Sequence, residues 1–419
     1  MPSDIQVTRI DPADDAAVAD VLAMDQLVWS DGLRTPRHLA LRDTPSRAAW
    51  IATVDGEQAG IAGSWDIELS VPTKGGASLR PTEGLTWVGV HPDHRRRGVL
   101  SALMRAHLRW TRDEQHRSLS ALKASEASIY GRYGYGVATR ELMTTFSQGT
   151  AFAAPEAVEA LAGATTTRMT TIGPEHAERL HALARRCGTV AAGQIVRSVA
   201  DFRRILTDVP ETRGEREPAR LLWATRDGED VGCAWFHRTP SWSAGAPQGK
   251  VGVFVVMNTD MGARLALARR LTTFDLMSTT EYWTTLDDPL VLWRAGQRPH
   301  GSGVSDDLWL RITDLPAAVS ERGHAADLDL TVAVTDRVLP DNAGTWRWTA
   351  REGEGALART DGPADLALDI ADLGALWLGD QTVGARVRAG YVTERRGGAA
   401  AELDAALRTP TLPIASLNF

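Results

Sequence analysis

A short passage of this chain occurs twice. Ala52-Thr53-Val54-Asp55-Gly56-Glu57, with Gly60 behind it, matches Ala224-Thr225-Arg226-Asp227-Gly228-Glu229 with Gly232, 172 residues later. In both places an apolar run enters an Asp-Gly pair, a strong short-range signal for a tight β-hairpin. In both places an apolar strand and then a stretch of helical spacing follow: Thr86 to Val90 and Leu100 to Leu108 in the first copy, Val251 to Met257 and Ala263 to Leu271 in the second. The shared order of hairpin, strand and helix predicts a duplicated domain of mixed α and β character.

The chain has 419 residues, more than two such copies need at about 150 residues per domain. An Ala/Thr-rich break over Gln148 to Thr167 and a loop over Arg294 to Gly303 divide it into three units, residues 1–148, 149–300 and 301–419. Val209 to Arg220 and Arg238 to Gly249 read as surface loops of the middle unit. The last unit alternates strand-like runs, Leu328 to Val334 and Trp346 to Ala350, with a helix-like Ile370 to Leu378. In the first hairpin Trp65, Ile67, Leu69 and Val71 alternate with Ser64, Asp66, Glu68 and Ser70, so one face is expected buried and the other wet.

Composition excludes several classes. Lys+Arg 46 against Asp+Glu 53 gives a net charge of −7, without the basic surplus of a general nucleic-acid binder. Cys187 and Cys233 form neither a CxxC nor a metal-like spacing, so no disulfide framework and no metal are expected, and a cytoplasmic location is. The polar, acidic start MPSDIQVTRIDPADD does not read as a signal peptide. No apolar run reaches the ~18 residues of a membrane span.

The clearest chemistry lies in Val88-Gly89-Val90-His91-Pro92-Asp93-His94-Arg95-Arg96-Arg97-Gly98-Val99-Leu100. A strand feeding a helix through arginines and a glycine presents free backbone N–H groups at the positive end of the helix, a seat for a pyrophosphate. Gly98 lets backbone approach a phosphate with no Cβ in the way. Arg96 and Arg97 can add charge-assisted hydrogen bonds. Three arginines alone would be an exposed basic cap; the whole order favours phosphate. His91 and His94 read as exposed turn histidines. The second copy has Asn258-Thr259-Asp260-Met261-Gly262 at the equivalent place and is expected to have lost this chemistry.

A second local oddity is the clustering of Tyr130, Tyr133 and Tyr135, three of only five tyrosines. Arg95-Arg96-Arg97-Gly98-Val99-Leu100 resembles the Arg/Gln-x-x-Gly-x-Gly/Ala loop of the GNAT superfamily of N-acetyltransferases, departing at Leu100. With Ser125-Glu126-x-x-Ile129-Tyr130-Gly131-Arg132-Tyr133-Gly134-Tyr135-Gly136, it resembles more narrowly the enhanced intracellular survival family, which contains actinobacterial aminoglycoside N-acetyltransferases. The resemblance implies an α/β (α+β) chain of two tandem GNAT-type domains, the second degenerate, and a sterol-carrier-protein-like third domain. Asp372-Leu373-Gly374-Ala375-Leu376-Trp377-Leu378-Gly379 fits the third.

The same resemblance implies site residues. Val88, Gly89 and Val90 would offer backbone groups to the pantetheine arm of acetyl-CoA, one N–H serving as oxyanion donor. Arg96, Arg97, Gly98, Val99, Leu100 and Ser101 would form the pyrophosphate loop, and Ser125 and Glu126 would line the cofactor cleft. Tyr130 would be the general acid, protonated at neutral pH and able to donate to a departing thiolate. Tyr133 and Tyr135 read as space-filling aromatics between glycines. The base would be the carboxylate of the C-terminal Phe419. Trp29, Asp31 and Trp87 would belong to an aromatic and acidic pocket suited to a polycationic amine, with core packing an equal reading for both tryptophans. Asn418 stands where a relative carries an acid. The implied activity is direct acetyl transfer in a ternary complex to amines of aminoglycosides and polyamines, at several positions, by a homohexamer. Protein-lysine acetylation and a lipid carrier built on the third unit are the rival readings.

Overall fold

The computed structural model describes residues 4–11, 13–29, 47–210, 213–295 and 300–417. Both repeated hairpins form as expected. Asp55 and Gly56 take φ of 53° and 88°, and Asp227 and Gly228 take 53° and 82°. Positive φ at both central positions is the type I′ turn, whose twist matches that of the flanking strands.

Around the first hairpin runs a sheet of β1 (Ile5–Ile10), β2 (Ala48–Val54), β3 (Glu57–Thr73), β4 (Gly76–Val90), β5 (Leu119–Lys123) and β6 (Gly136–Val137). Within this sheet β17 (Leu308–Ile312) lies between β5 and β6, and β9 (Ile195–Arg197) adds to β3. The second sheet comprises β7 (Arg140–Ser147), β8 (Thr166–Thr171), β10 (Arg220–Arg226), β11 (Glu229–Thr239), β14 (Gly249–Asn258), β15 (Met277–Thr284) and β16 (His300–Asp306). A small ribbon, β12 (Trp242–Ser243) with β13 (Ala246–Pro247), occupies the expected surface loop. The third sheet holds β18 (Leu328–Thr335), β19 (Gly344–Arg351), β20 (Glu354–Arg359), β21 (Leu366–Asp369) and β22 (Thr393–Glu394). The Ala/Thr-rich break contains a helix, Glu156–Gly163.

The first two sheets exchange strands across the sequence cuts. β7 precedes residue 149 yet pairs with β15 and β16 of the second sheet. β17 follows residue 301 yet completes the first sheet against β5 and β6. Its run Leu308, Trp309, Leu310, Ile312 is buried throughout, as a strand covered on both faces requires. The exchange knits the two copies into one body with a shared middle.

Ser64 and Ser70 of β3 are fully buried rather than wet. Ser64 donates to the Glu83 carboxylate at 2.7 Å, and Ser70 donates to the Ala191 carbonyl at 2.8 Å. The reason is tertiary: Glu83 of the neighbouring β4 receives Ser64, and residues 191–197 of the middle unit lie along β3 and give Ser70 its partners. The third unit is filled by its own aromatics, with Trp348, Trp377 and Leu373 wholly buried. It grips the first through Arg311, whose guanidinium donates to both oxygens of Asp336 at 2.7 and 2.8 Å. No described helix is long and apolar enough to cross a membrane.

Candidate active site

The parallel strands β4 and β5 pair only at Glu83 with Ser120 and Gly84 with Ala121. Beyond that point a bulge turns β4 away: Trp87 takes φ 51°, and the register against β3 shifts between Ile61 and Gly63. The two strands therefore fork. Val88, Gly89 and Val90 lie on the β4 arm. Gly89 is needed there because a Cβ would come within 3.1 Å of Val28 on α1 (Asp15–Trp29). The β5 arm ends at Lys123 and runs into Ser125 and Glu126, both exposed at the mouth.

From the β4 arm the chain passes through Pro92–His94 and the arginine loop into α2 (Val99–Arg109). Arg96 and Gly98 are left-handed, at φ 62° and 96°. Gly98 is the helix N-cap and no side chain caps it, so the first N–H groups of α2, from Val99, Leu100 and Ser101, stay available. Arg95 and Arg96 are exposed and make no ion pair among the described residues. Arg97 is turned aside: it donates to Asp55 at the hairpin tip at 2.9 Å and lies 3.0 Å from His94 Nδ1. His94 is buried, not exposed as expected, between Arg97 and Glu57.

The tyrosine cluster sits on α3 (Ala127–Tyr130) and the turn after it. Tyr133 pairs its hydroxyl with Ser101 Oγ at 3.0 Å, and Tyr135 with Ser120 Oγ at 2.8 Å. Ser120 also meets His107, whose pKa burial pushes down to about 3, so that ring is a neutral core group. The Tyr130 hydroxyl makes no hydrogen bond among the described residues, although its ring is buried and lies edge-on to Tyr135. Burial, then the charge of Glu126, raises its pKa to about 12. Gly134, at φ 86°, abuts the Arg311 guanidinium, where a Cβ would approach to 2.8 Å. The third unit thus holds this turn from behind.

The second copy keeps the fork and loses the loop. β14 and β15 pair over Gly249 to Val253 and then separate, and β14 carries an extra residue, Phe254, against β11. Only Thr259 and Asp260 connect β14 to the helix Met261–Leu271. Asp260 caps that helix, accepting from Ala263 N at 3.0 Å, and is itself paired with Arg226. Leu161 of the helix Glu156–Gly163 covers Gly262. A carboxylate holds the place a phosphate would take.

Between the two forks lies a cluster that sequence reasoning missed. Asp307, almost wholly buried, pairs with Lys123 at the end of β5, accepts from Thr139 Oγ1 at 2.9 Å and accepts from Ala415 N at 3.3 Å. Glu141 on β7 is a neighbour; burial, then the charge of Asp307, raises its pKa to about 7 against the pull of Lys123. Positions 123, 141 and 307 have no common spacing, and only the strand exchange unites them.

The chain end runs through this middle. Leu412 N donates to Asp287 at 2.8 Å, and Ser416 Oγ accepts from Ile195 N at 3.0 Å. Leu417 is buried. These residues, the second fork, Lys123 and Glu141 enclose a cavity of about 780 Å³. Cys187 also lines it, but burial pushes its thiol up to about 12, so no thiolate is present at neutral pH. Trp29 is 45% exposed, which excludes core packing for it. Trp87 is half-buried against the small apolar cluster of Val21, Met24, Ala49 and Ile61. Asp31, Asn418 and Phe419 lie outside the described residues.

Comparison with known proteins gives this geometry its class. The sequence profile of the acetyltransferase (GNAT) domain matches residues 9–138, and that of the sterol carrier protein domain matches residues 315–416. Eis1 from Mycobacterium abscessus superposes with a TM-score of 0.80 at 26% identity, over 99% of this chain and 100% of that one. A GCN5-related N-acetyltransferase from Kribbella flavida, at 22% identity and TM-score 0.77, shares the fold over 100% of this chain and 99% of that one. The chain is a GNAT-type N-acetyltransferase with a sterol-carrier-like third domain. It is 33% identical to an N-acetyltransferase of Streptomyces avermitilis over 84% of this chain and 85% of that one. N-acetyltransferase Eis of Mycobacterium tuberculosis is 30% identical over 77% of this chain and 76% of its own. This chain belongs to the Eis family of N-acetyltransferases.

Proposed function

We propose that this protein transfers an acetyl group from acetyl-CoA to primary amines, aminoglycosides and polyamines among them, at more than one amine where the acceptor carries several. The observation that carries the reading is the Tyr130 hydroxyl. Alone of its cluster it has no hydrogen-bond partner among the described residues, and it follows the β5 arm of a fork whose other arm leads to an uncapped helix N-terminus. Acetyl-CoA supplies a thioester with a polarisable carbonyl and a thiol leaving group.

The residues divide the work. The N–H groups of Val99, Leu100 and Ser101, with Arg96, would hold the pyrophosphate. Arg97, committed to Asp55, shapes the loop and offers its backbone. Val88, Gly89 and Val90 would bind the pantetheine arm and donate one N–H to the carbonyl oxygen. Ser125 and Glu126 would flank the arm at the mouth. As the amine nitrogen bonds to the carbonyl carbon and the carbon–sulfur bond breaks, Tyr130 gives its proton to the sulfur. The attacking nitrogen gives its proton to the Phe419 carboxylate. Supporting that last role, Ala415 N donates to Asp307, which pairs with Lys123 at the end of β5. Trp29, Asp31 and Trp87 would wall the acceptor side.

The three units divide likewise: 1–148 for chemistry, 149–300 for acceptor binding, and 301–419 for holding the tyrosine turn and delivering the chain end. Assembly as a homohexamer and a cytoplasmic location are part of the proposal. Thiol release from acetyl-CoA across a panel of amines, with mass spectrometry of the products, tests it. Turnover dependent on the amine is expected; no thiol release with any amine would overturn the reading.

A further inference from the structure

The acceptor cavity is not a second cofactor site. Its phosphate-binding end is closed by Asp260, Arg226 and the helix Glu156–Gly163. Its walls are mostly apolar, with Trp235, Phe254, Val255, Val256, Met261 and Ile205 around the second fork. Such walls suit a hydrocarbon or aromatic body.

Its charges are unevenly satisfied. Arg264 and Asp288 on the lining neutralise one another and share Thr284, and Arg264 also donates to Asn258. Lys123 is neutralised by Asp307, and Asp287 is occupied by the Leu412 N–H, which donates to it at 2.8 Å. Glu141 has no ion pair among the described residues; its one side-chain hydrogen bond is a long one from Ser305 at 3.5 Å. It lines the cavity together with Lys123, the last residue of the β5 arm, whose charge acts on it. The cavity therefore joins an apolar interior to an unsatisfied carboxylate on the side of the first fork.

We propose that this cavity selects an amphipathic primary amine, an apolar body ending in an ammonium, and that Glu141 is the specificity-determining partner of that ammonium. The proposal rests on the acetyl-transfer reading of the site and names its acceptor class. The apolar body occupies the second fork, and Glu141 holds the ammonium beside the first. The ammonium releases one proton to solvent, and the neutral amine then attacks and gives its second proton to the terminal carboxylate. The degenerate copy has exchanged a cofactor seat for an acceptor seat.

Calorimetric titration of the full chain at pH 8 with octylamine, octanol and spermine tests this. Octylamine is expected to bind about tenfold or more tighter than octanol, which lacks the charge, and tighter than spermine, which lacks the apolar body. Glu141→Gln should weaken octylamine about tenfold and leave octanol unchanged. Should that variant fail to fold, Phe254→Ala replaces it, weakening octylamine and octanol alike and spermine little. Spermine binding as tightly as octylamine, or unchanged octylamine affinity in the folded variants, would overturn the proposal. The two readings fail separately. Octylamine binding without any acetylation removes the acetyl-transfer reading, whereas acetylation of spermine with no octylamine binding removes this one.

Discussion

Tyr130→Phe separates catalysis from architecture more cleanly than any other single change here. The substitution removes one oxygen that has no hydrogen-bond partner among the described residues, and it leaves the ring in its edge-on contact with Tyr135. Folding stability should therefore change by no more than about 0.5 kcal/mol. General acid catalysis contributes about 10²–10⁴-fold, so kcat should fall by that factor, equivalent to about 2.7–5.4 kcal/mol of barrier. Tyr135→Phe is the opposite control. It strips a buried hydroxyl from Ser120, a loss of about 1–2 kcal/mol of stability, with a smaller effect on rate. The assay is steady-state thiol release at saturating amine, run beside thermal melts of both variants. A Tyr130→Phe enzyme with kcat within threefold of the parent would refute the acid assignment. A loss of rate matched by an equal loss of stability would refute the separation. Because its pKa is raised to about 12, Tyr130 should cause no alkaline fall in kcat below about pH 10.

Other perturbations reach other parts of the site. Arg96→Ala should raise KM for acetyl-CoA about tenfold with kcat kept, whereas Arg97→Ala, whose side chain serves Asp55, should act more on loop stability; initial rates at varied acetyl-CoA and melting curves distinguish the two. Gly134→Ala should be destabilising by more than about 2 kcal/mol, because it strains a φ of 86° and drives a Cβ to 2.8 Å from Arg311, and denaturant titration reads this. Deleting Phe419, or extending the chain past it, should depress activity while circular dichroism stays unchanged; a fully active extended chain would count against the terminal carboxylate as base. Glu141, raised from an ordinary 4.5 to about 7, holds its proton more tightly folded than unfolded. That contribution to stability is complete below pH 4.5 and lost as pH rises through 7, with Asp307, Asp306 and Lys123 the charged groups nearest it. Since Glu141 is only half-buried, Glu141→Gln should gain no more than about 1–2 kcal/mol at pH 8 relative to pH 4 in urea melts.

What was legible in the sequence was local. The two Asp-Gly turns, the arginine loop and the tyrosine turn announce themselves because neighbouring residues fix their geometry. Tyr133 and Tyr135, read as packing groups, are tied to Ser101 and Ser120. What was hidden depends on partners far along the chain. Ser64 and Ser70 alternate like wet positions until Glu83 and residues 191–197 respectively meet them, and His94 reads as a turn residue until Arg97 and Glu57 close on it. The trade of β7 for β17 has no periodicity to betray it. Yet it brings Lys123, Glu141 and Asp307 to one place, and the sharpest statement about acceptor choice comes from there.

The central claim is that the first fork transfers acetyl groups from acetyl-CoA to an amine bound in the middle of the molecule. Its most direct test is to incubate the full chain with acetyl-CoA and octylamine and count acetyl groups on the amine by mass spectrometry, against Tyr130→Phe at equal concentration. The account predicts one acetyl group per amine, formed at a rate at least about a hundredfold above that of the variant. Equal rates for the two enzymes, or thiol release with no acetylated amine, would contradict it.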